Sequence, residues 1–486
     1  MRTKILHTLR ILTILVLPAI ASAGEIHVGA ATTSITPDEP VAVSGQFATR
    51  IATEVETPCT ATAIALESRE GERVRDQAIM ITCELVAIRD DIQERLREKL
   101  KGRLAGFDPT KLFLSATHTH TAPVMREDVY DIPKNGVIQP AEYVTFLIDR
   151  LADVAVQAWN TRKPGAVSWG MGHAVVAQNR RIVYADGSAR MYGPTSTSTF
   201  RAIEGYEDHG VEVLFFYQGK GKLIATAVNV ACPAQEVESR RAVNADFWHH
   251  VREQLREKYG ADLNVAGWIG AAGDQSPHLM LRKKAEERMR QGRKLTRLEE
   301  IARRIVRAVD EAYEVAQHDL QTDPTLVHHV TDIQLPSRVV TPAEYAENKA
   351  QVAELEAQAK KGRDTGRRRL FFQKVVDRYD QQKPGDTYEM ELHAIRLGDV
   401  AICTNPFELY TDYGIQMKGR SKALQTFVIQ LAGTSGAYLA THKAVRGGSY
   451  SATVASNLVG PEGGQVLVDE TVKAINALWP TPKKTK

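Results

Sequence analysis

Two apolar runs, each stopping in a turn loaded with reactive side chains, constrain this chain most. The first, Leu112-Phe-Leu-Ser-Ala, reads as a short buried strand and continues into Thr117-His118-Thr-His120-Thr-Ala-Pro123. Side chains alternate along a strand, so both imidazoles are expected on one face. Paired ring nitrogens at a strand end suit a zinc ion, or a metal ligand beside a general acid–base. Two satisfied histidines are the plainer alternative. The second run, Leu263-Asn-Val-Ala-Gly-Trp-Ile269, enters the Gly-rich turn Gly270-Ala-Ala-Gly273-Asp274-Gln275-Ser276-Pro277-His278. That turn presents Asp, Ser and His.

Between and beyond these runs, strands and helices interleave. Residues 27–90 alternate short apolar runs with turn signals and read as strands, and Ile92 to Leu104 has helical spacing. Ala141 to Trp159 reads as a long amphipathic helix. Val167 to Tyr217 returns to strands, with Asp186-Gly187 as a hairpin turn. Gly221 to Val230 is a further strand. Ala245 to Tyr259 is helical, with Asn244 as its expected cap. Two charged stretches, Arg282 to Gln317 and Pro342 to Gln382, read as exposed helices of mixed sign, a helical hairpin among them. Thr325 to Leu335 and Leu392 to Ala401 read as strands. Asn405-Pro406-Phe407-Glu408 is expected to open a helix running to Lys418, with Pro where a first turn tolerates it. Lys443 to Gly464 reads as loop.

Charge excludes one class of partner. Residues 1–23 hold Arg2, Lys4 and Arg10 and no acidic residue, then an apolar run from Ile11 to Ile20 and Ala21-Ser22-Ala23. This is the pattern of a cleavable export signal, and its apolar run is shorter than the ~20 residues a spanning helix needs. A secreted or periplasmic protein with no transmembrane segment is expected. Of the 62 basic and 59 acidic residues, removal of that leader leaves 59 against 59, so nothing points to nucleic acid. Cys59, Cys83, Cys232 and Cys403 are too widely spaced for a zinc ribbon or a disulfide scaffold.

Thr117-His-Thr-His-Thr-Ala-Pro123 and Gly273-Asp-Gln-Ser-Pro-His278 together resemble the neutral (non-lysosomal) ceramidase family. Its members carry Thr-His-Thr-His-Ser-Gly-Pro and, further along, Gly-Asp-Val-Ser-Pro-Asn. Val28-Gly-Ala-Ala-Thr-Thr-Ser-Ile-Thr-Pro37 fits the family's opening, and the likeness runs over roughly 27–470. The resemblance is to a divergent, bacterial-type member. It implies an α/β catalytic domain over 24–480, built on a large mixed sheet with flanking helices. A charged helical insertion falls at about 282–385, and no C-terminal immunoglobulin-like domain is expected.

The same resemblance implies a chemistry. One zinc ion per chain would be held by His118, by Glu408 and by a tyrosine, Tyr438 with Tyr450 as competitor. Read without the family, Glu408 is a helix N-terminal carboxylate. The family's second zinc histidine has no counterpart in Ile224-Ala-Thr-Ala-Val-Asn-Val-Ala-Cys232-Pro233. Cys232 could replace it, or His209, His249 or His250, or the ligand is lost; a structural thiol is the plainer role for Cys232. His120 matches the family's proton-transfer histidine. Arg180 matches an arginine that contacts the reacting group, where it would stabilise charge on a carbonyl oxygen. Ser276 matches a serine required for activity, as nucleophile or beside an attacking water. Asp274 is expected to serve the turn. The implied activity is hydrolysis of an amide, N-acyl sphingosine or a smaller one, with a small-molecule amide or lipid as partner. Gln275 and His278 depart from the family motif and point to a different pocket. The competing readings are an inactive lipid- or glycan-binding protein on the same fold, and a metal-dependent hydrolase of another bond.

Overall fold

The computed structural model describes residues 24–479 except 90, 128 and 220; the leader pattern at 1–23 lies outside the described residues. Eight strands form one mixed sheet in the order Asn264–Ile269, Lys222–Val230, Gly210–Gln218, Lys163–His173, Gly24–Ser34, Thr60–Glu70, Arg73–Cys83, Leu112–Ala116. Its interior pairs are antiparallel, whereas both edge strands, Leu112–Ala116 and Asn264–Ile269, pair in parallel. A second sheet runs Leu326–Pro336, Thr387–Leu397, Val400–Thr404, Gln425–Ile429, and its last pair is also parallel. The expected α/β class and large mixed sheet are therefore present.

The strands fall where the apolar alternation places them, and the two sheets close over a shared core. Val28, Leu66, Met80, Phe113 and Trp268 of the first meet Ile395, Ile402 and Phe427 of the second, all essentially inaccessible to water. Burying such side chains is the main stabilising contribution, about 1.5–3 kcal/mol each. The helix Pro140–Asn160 covers part of the outer face of the first sheet through Tyr143, Leu147 and Leu151. The helices Phe247–Tyr259 and Arg297–Ala316 cover the rest, and Pro461–Ala477 backs the second sheet. Among the described residues no helix is long and apolar enough to cross a membrane.

Four local expectations need correction. The stretch 282–317 is two helices, Lys283–Gly292 and Arg297–Ala316, and the second is no exposed helix: Ile301, Ile305 and Val309 are buried. Most of its charges occupy the opposite face, with Glu300 buried against Arg303 and Arg304, the amphipathic pattern that alternating sign conceals. Residues Asn405–Glu408 do not open a helix. Glu408-Leu409 pairs in parallel with Tyr438-Leu439, and the helix starts at Thr411. The stretch 443–464 is largely structured, with a helix at His442–Gly447 and Pro461 opening the last long one. The cap of Phe247–Tyr259 is Asp246, whose carboxylate accepts from the Phe247 N–H; Asn244 instead accepts from the Asp246 N–H.

Candidate active site

The parallel-paired strands all point their C-terminal ends to one place, and His118, His120, Ser276, Glu408 and Tyr438 lie there or beside it. His118 follows Leu112–Ala116, the turn to Ser276 follows Asn264–Ile269, Glu408 follows Val400–Thr404, and Tyr438 follows Gln425–Ile429. Main-chain bonds stitch these ends together: Ala116 N–H to Leu431 O, Gln430 N–H to Ile269 O, Gly273 N–H to Leu409 O, Glu408 N–H to Ala437 O. Gly273 is required because a Cβ there would overlap the Glu408 carbonyl oxygen.

The His-x-His pair converges, but not by strand alternation. The strand ends at Ala116, and His118 adopts φ +66°, an uncommon left-handed conformation for a residue with a Cβ. That kink turns the two rings edge to face, centroids 4.7 Å apart, with Nε2 atoms 3.2 Å apart. His118 Nδ1 lies 2.6 Å from the Val86 carbonyl oxygen. A carbonyl can only accept, so Nδ1 carries the proton. Nε2 then points toward Glu408 Oε2, 3.4 Å away. The Tyr438 hydroxyl faces the same carboxylate and helps to hold it ionised.

Glu408 would be driven up by burial, but His118, Arg180 and the Tyr438 hydroxyl outweigh this and hold it at about 2, ionised. Burial and Glu408 push the Tyr438 phenol far up. Burial lowers His120 to about 4 against the opposing pull of Glu238, whose carboxylate lies 3.3 Å from Nδ1. His120 is thus a neutral base at pH 7.

Arg180 is buried at the centre. It donates through Nη1 to Tyr192 OH (2.9 Å) and through Nη2 to Gly273 O (2.9 Å) and Tyr438 OH (3.3 Å). Its Nε, buried as well, has no partner among the described residues. Ser276 Oγ accepts from Tyr192 OH (3.1 Å), Gln235 Nε2 (3.3 Å) and the His278 N–H (3.2 Å). Among the described residues its hydrogen-bond partners are these three donors. Asp274 keeps its turn role: buried, it accepts from the Thr411 N–H and hydroxyl and from Asn179.

The remaining candidates lie apart. Cys232 is buried with Sγ toward the Val176 carbonyl oxygen at 3.9 Å, and burial raises its thiol well above the ordinary range. His249 and His250 pack on each other on their own helix, and His209 faces Glu207. All four cysteines are free and buried. Among the described residues no three His, Cys, Asp or Glu side chains form a group able to hold a metal. The donor set that does converge is mixed: the imidazoles of His118 and His120, one carboxylate and one phenol. Tyr192, Gln235 and Glu238 are contributions that the sequence does not announce. Only the position of Gln235 and Glu238 just past the strand end at Val230 is a usable signal.

No family model matches this sequence, and no curated protein does either. Solved structures do. The neutral ceramidase from Pseudomonas aeruginosa superposes with a TM-score of 0.68 at 15% identity, covering 93% of this chain and 74% of that one. A ceramidase complexed with C2 gives 0.67 at 14% identity, over 93% and 75%. The fold is that of the neutral ceramidase catalytic domain. At this identity the likeness shows the fold alone, and the site has to be argued from its own residues.

Proposed function

We propose that this protein is a ceramidase-like hydrolase that cleaves an amide bond, with one zinc ion bound by His118, Glu408 and Tyr438. One observation carries the proposal. Val86 engages His118 Nδ1, so Nε2 turns to the Glu408 carboxylate at 3.4 Å. Two electron-pair donors aimed at one point call for a proton or a cation between them, and the backbone-anchored imidazole is the usual support of a metal ligand. A cation there supplies Lewis-acid polarisation of the scissile carbonyl. Cys232, with its Sγ toward the Val176 carbonyl oxygen, would not join these residues.

The chain's own groups divide the remaining work. Arg180, cationic and held by two tyrosines, is placed to stabilise negative charge developing on the carbonyl oxygen. His120, neutral and backed by Glu238, takes a proton from the attacking water and returns it to the departing nitrogen as the C–N bond breaks. The donors around Ser276 support a positioning role, holding Tyr192 against Arg180, rather than nucleophilic attack. The leader pattern of residues 1–23 supports export.

Metal content and hydrolysis of an N-acyl sphingosine or a simple N-acyl amide, measured on wild type and on His118→Ala and Glu408→Ala, test the proposal. Stoichiometric zinc and turnover, both lost in the variants, are expected. A wild type that takes up no metal when zinc is supplied and cleaves no amide overturns it in favour of a binding protein on this fold.

A further inference from the structure

The charged insertion ends beside the site. Its hairpin consists of the helices Pro342–Ala359 and Gly366–Gln381, joined by residues 360–365. The Asp364 carboxylate accepts from the Thr49 N–H at 3.2 Å, and Arg367 Nη1 donates to the Gln46 carbonyl oxygen. Both bonds fasten the tip of the hairpin to the loop that begins at Gly45, where a Cβ would lie 2.5 Å from the His120 side chain. On its other side Phe371 stacks on Tyr450 at 5.7 Å and 27°, and Tyr450 stands edge-on to Tyr438, 5.8 Å away. The tip therefore borders both the proposed acid–base and the proposed ligand Tyr438.

Charge along this hairpin is sorted. The first helix carries Glu344, Glu347, Glu354 and Glu356 against Lys349 alone. Residues 360–369 hold six basic residues and one acidic, Asp364. Asp364 is engaged by Thr49, and Arg369 pairs with Glu356. Lys360, Lys361, Arg363 and Arg368 are exposed and make no ion pair among the described residues. The other basic stretch of the insertion is neutralised locally, with Glu286 on Arg304 and Glu287 on Arg290. A solvated face gains nothing from gathering one sign, because like charges repel, so the tip calls for an anionic partner. Aromatic rings stand next to the cations. Phe47 and Tyr450 are 37% and 41% exposed, and Phe371 meets both Phe47 and Phe372 edge-on. Exposed cations beside apolar rings are the composition of a membrane-interface anchor. A nucleic acid instead needs a basic track along its backbone, whereas this patch is one hairpin tip beside a ring cluster.

We propose that the tip of this hairpin docks the protein onto an anionic lipid surface. Lys360, Lys361, Arg363 and Arg368 meet the headgroups, and the Phe47–Phe371–Tyr450 rim faces the acyl region, which holds the site against the bilayer. The docking is read by binding alone and stands apart from the hydrolase reading. Co-sedimentation is measured with vesicles of phosphatidylcholine alone and with roughly one-third phosphatidylglycerol. Wild type is compared with Lys360→Gln/Lys361→Gln/Arg363→Gln/Arg368→Gln. A control loses the same charge elsewhere, Lys283→Gln/Lys284→Gln/Arg288→Gln/Lys294→Gln. Wild type is expected to bind the anionic vesicles at least about tenfold more tightly than the neutral ones, each exposed cation near such a surface being worth roughly fivefold. The tip variant loses that preference, the control keeps it, and raising salt from about 50 to about 500 mM abolishes it. Tm is read alongside; should the fourfold variant fold poorly, Lys361→Glu/Arg363→Glu carries the same test with two changes. Equal binding to both vesicles, a tip variant that keeps the preference, or a control that loses it as fully overturns the proposal. A short DNA duplex bound by wild type as tightly as the anionic vesicles would assign the patch to nucleic acid and overturn it as well. Vesicle binding that depends on the tip, without turnover of any amide, would uphold the surface and remove the hydrolase; turnover without such binding would do the reverse.

Discussion

Tyr192 joins Arg180 to Ser276: its hydroxyl accepts from Arg180 Nη1 at 2.9 Å and donates to Ser276 Oγ at 3.1 Å. It also accepts from Gln235 Nε2 at 2.7 Å. A phenol from an otherwise undistinguished hairpin thus sets the position of the buried guanidinium. Tyr192 itself sits at φ +55°, a conformation that costs of order 1–2 kcal/mol and is held by its partners.

Removing that hydroxyl should cost catalysis more than binding. For Tyr192→Phe we expect kcat on the best amide found to fall by about 10- to 100-fold, with KM changed far less, because a misaligned Arg180 is felt in the transition state. Steady-state kinetics check this. An unchanged kcat would remove Arg180 positioning from the mechanism.

Ser276→Ala discriminates between two mechanisms. As a member of the Tyr192–Gln235 network, Ser276 should be worth about tenfold in kcat, with no acyl-enzyme burst in wild type. A loss approaching ~10⁴-fold, with a burst in pre-steady-state measurements, would make Ser276 the nucleophile instead.

Cys232 should be dispensable for metal. Cys232→Ala is expected to hold as much zinc as wild type and to lose about 1 kcal/mol of stability, the usual scale for trimming a buried side chain. Metal analysis and urea unfolding read the two effects separately. Zinc lost from Cys232→Ala would restore this thiol as the missing ligand.

Acid should destabilise the fold through the buried pair His328 and His393, whose ring nitrogens lie 2.8 Å apart between Gln77 and Glu391. Burial, and for His328 also its partner ring, lowers both below the ordinary histidine value. A histidine whose folded value is depressed is protonated first in the unfolded chain. Its contribution is complete above about pH 6.5 and is lost as pH falls below that value toward the folded one. Unfolding free energy measured from pH 7.5 down to 5 should decline, and His328→Leu should flatten that decline. Equal slopes in the two proteins would show that other groups carry the acid sensitivity.

Much of the site is legible in local pattern. Leu112–Ala116 and Asn264–Ile269 are strands because short apolar runs ended by turn residues have few other stable solutions, and the residues that follow them do lie near one another in space. The helix Pro140–Asn160 likewise shows itself through its apolar stripe. Glu408 is found by the likeness of its surroundings to a known family, yet its local structure departs from the local signal. Pro406 suggests a helix start, while the strand partner that overrides this, Tyr438, lies far along the chain. Arg297–Ala316 reads as exposed for a similar reason, since its charges are visible in the sequence and the sheet that buries its other face is not.

What the sequence determines by itself is therefore the order of strands and helices and the chemical types gathered at certain turns. Both depend on side-chain periodicity and turn chemistry among adjacent residues. Only the tertiary structure decides that His118 turns its Nε2 to Glu408, that Tyr192 and Gln235 surround Ser276, that Cys232 faces away, and that Arg367 reaches Gln46 from a distant hairpin. Those relationships arise where parallel-paired strand ends from separate parts of the chain are brought together, and their energies come from packing and hydrogen bonds between residues with no neighbourhood in the sequence.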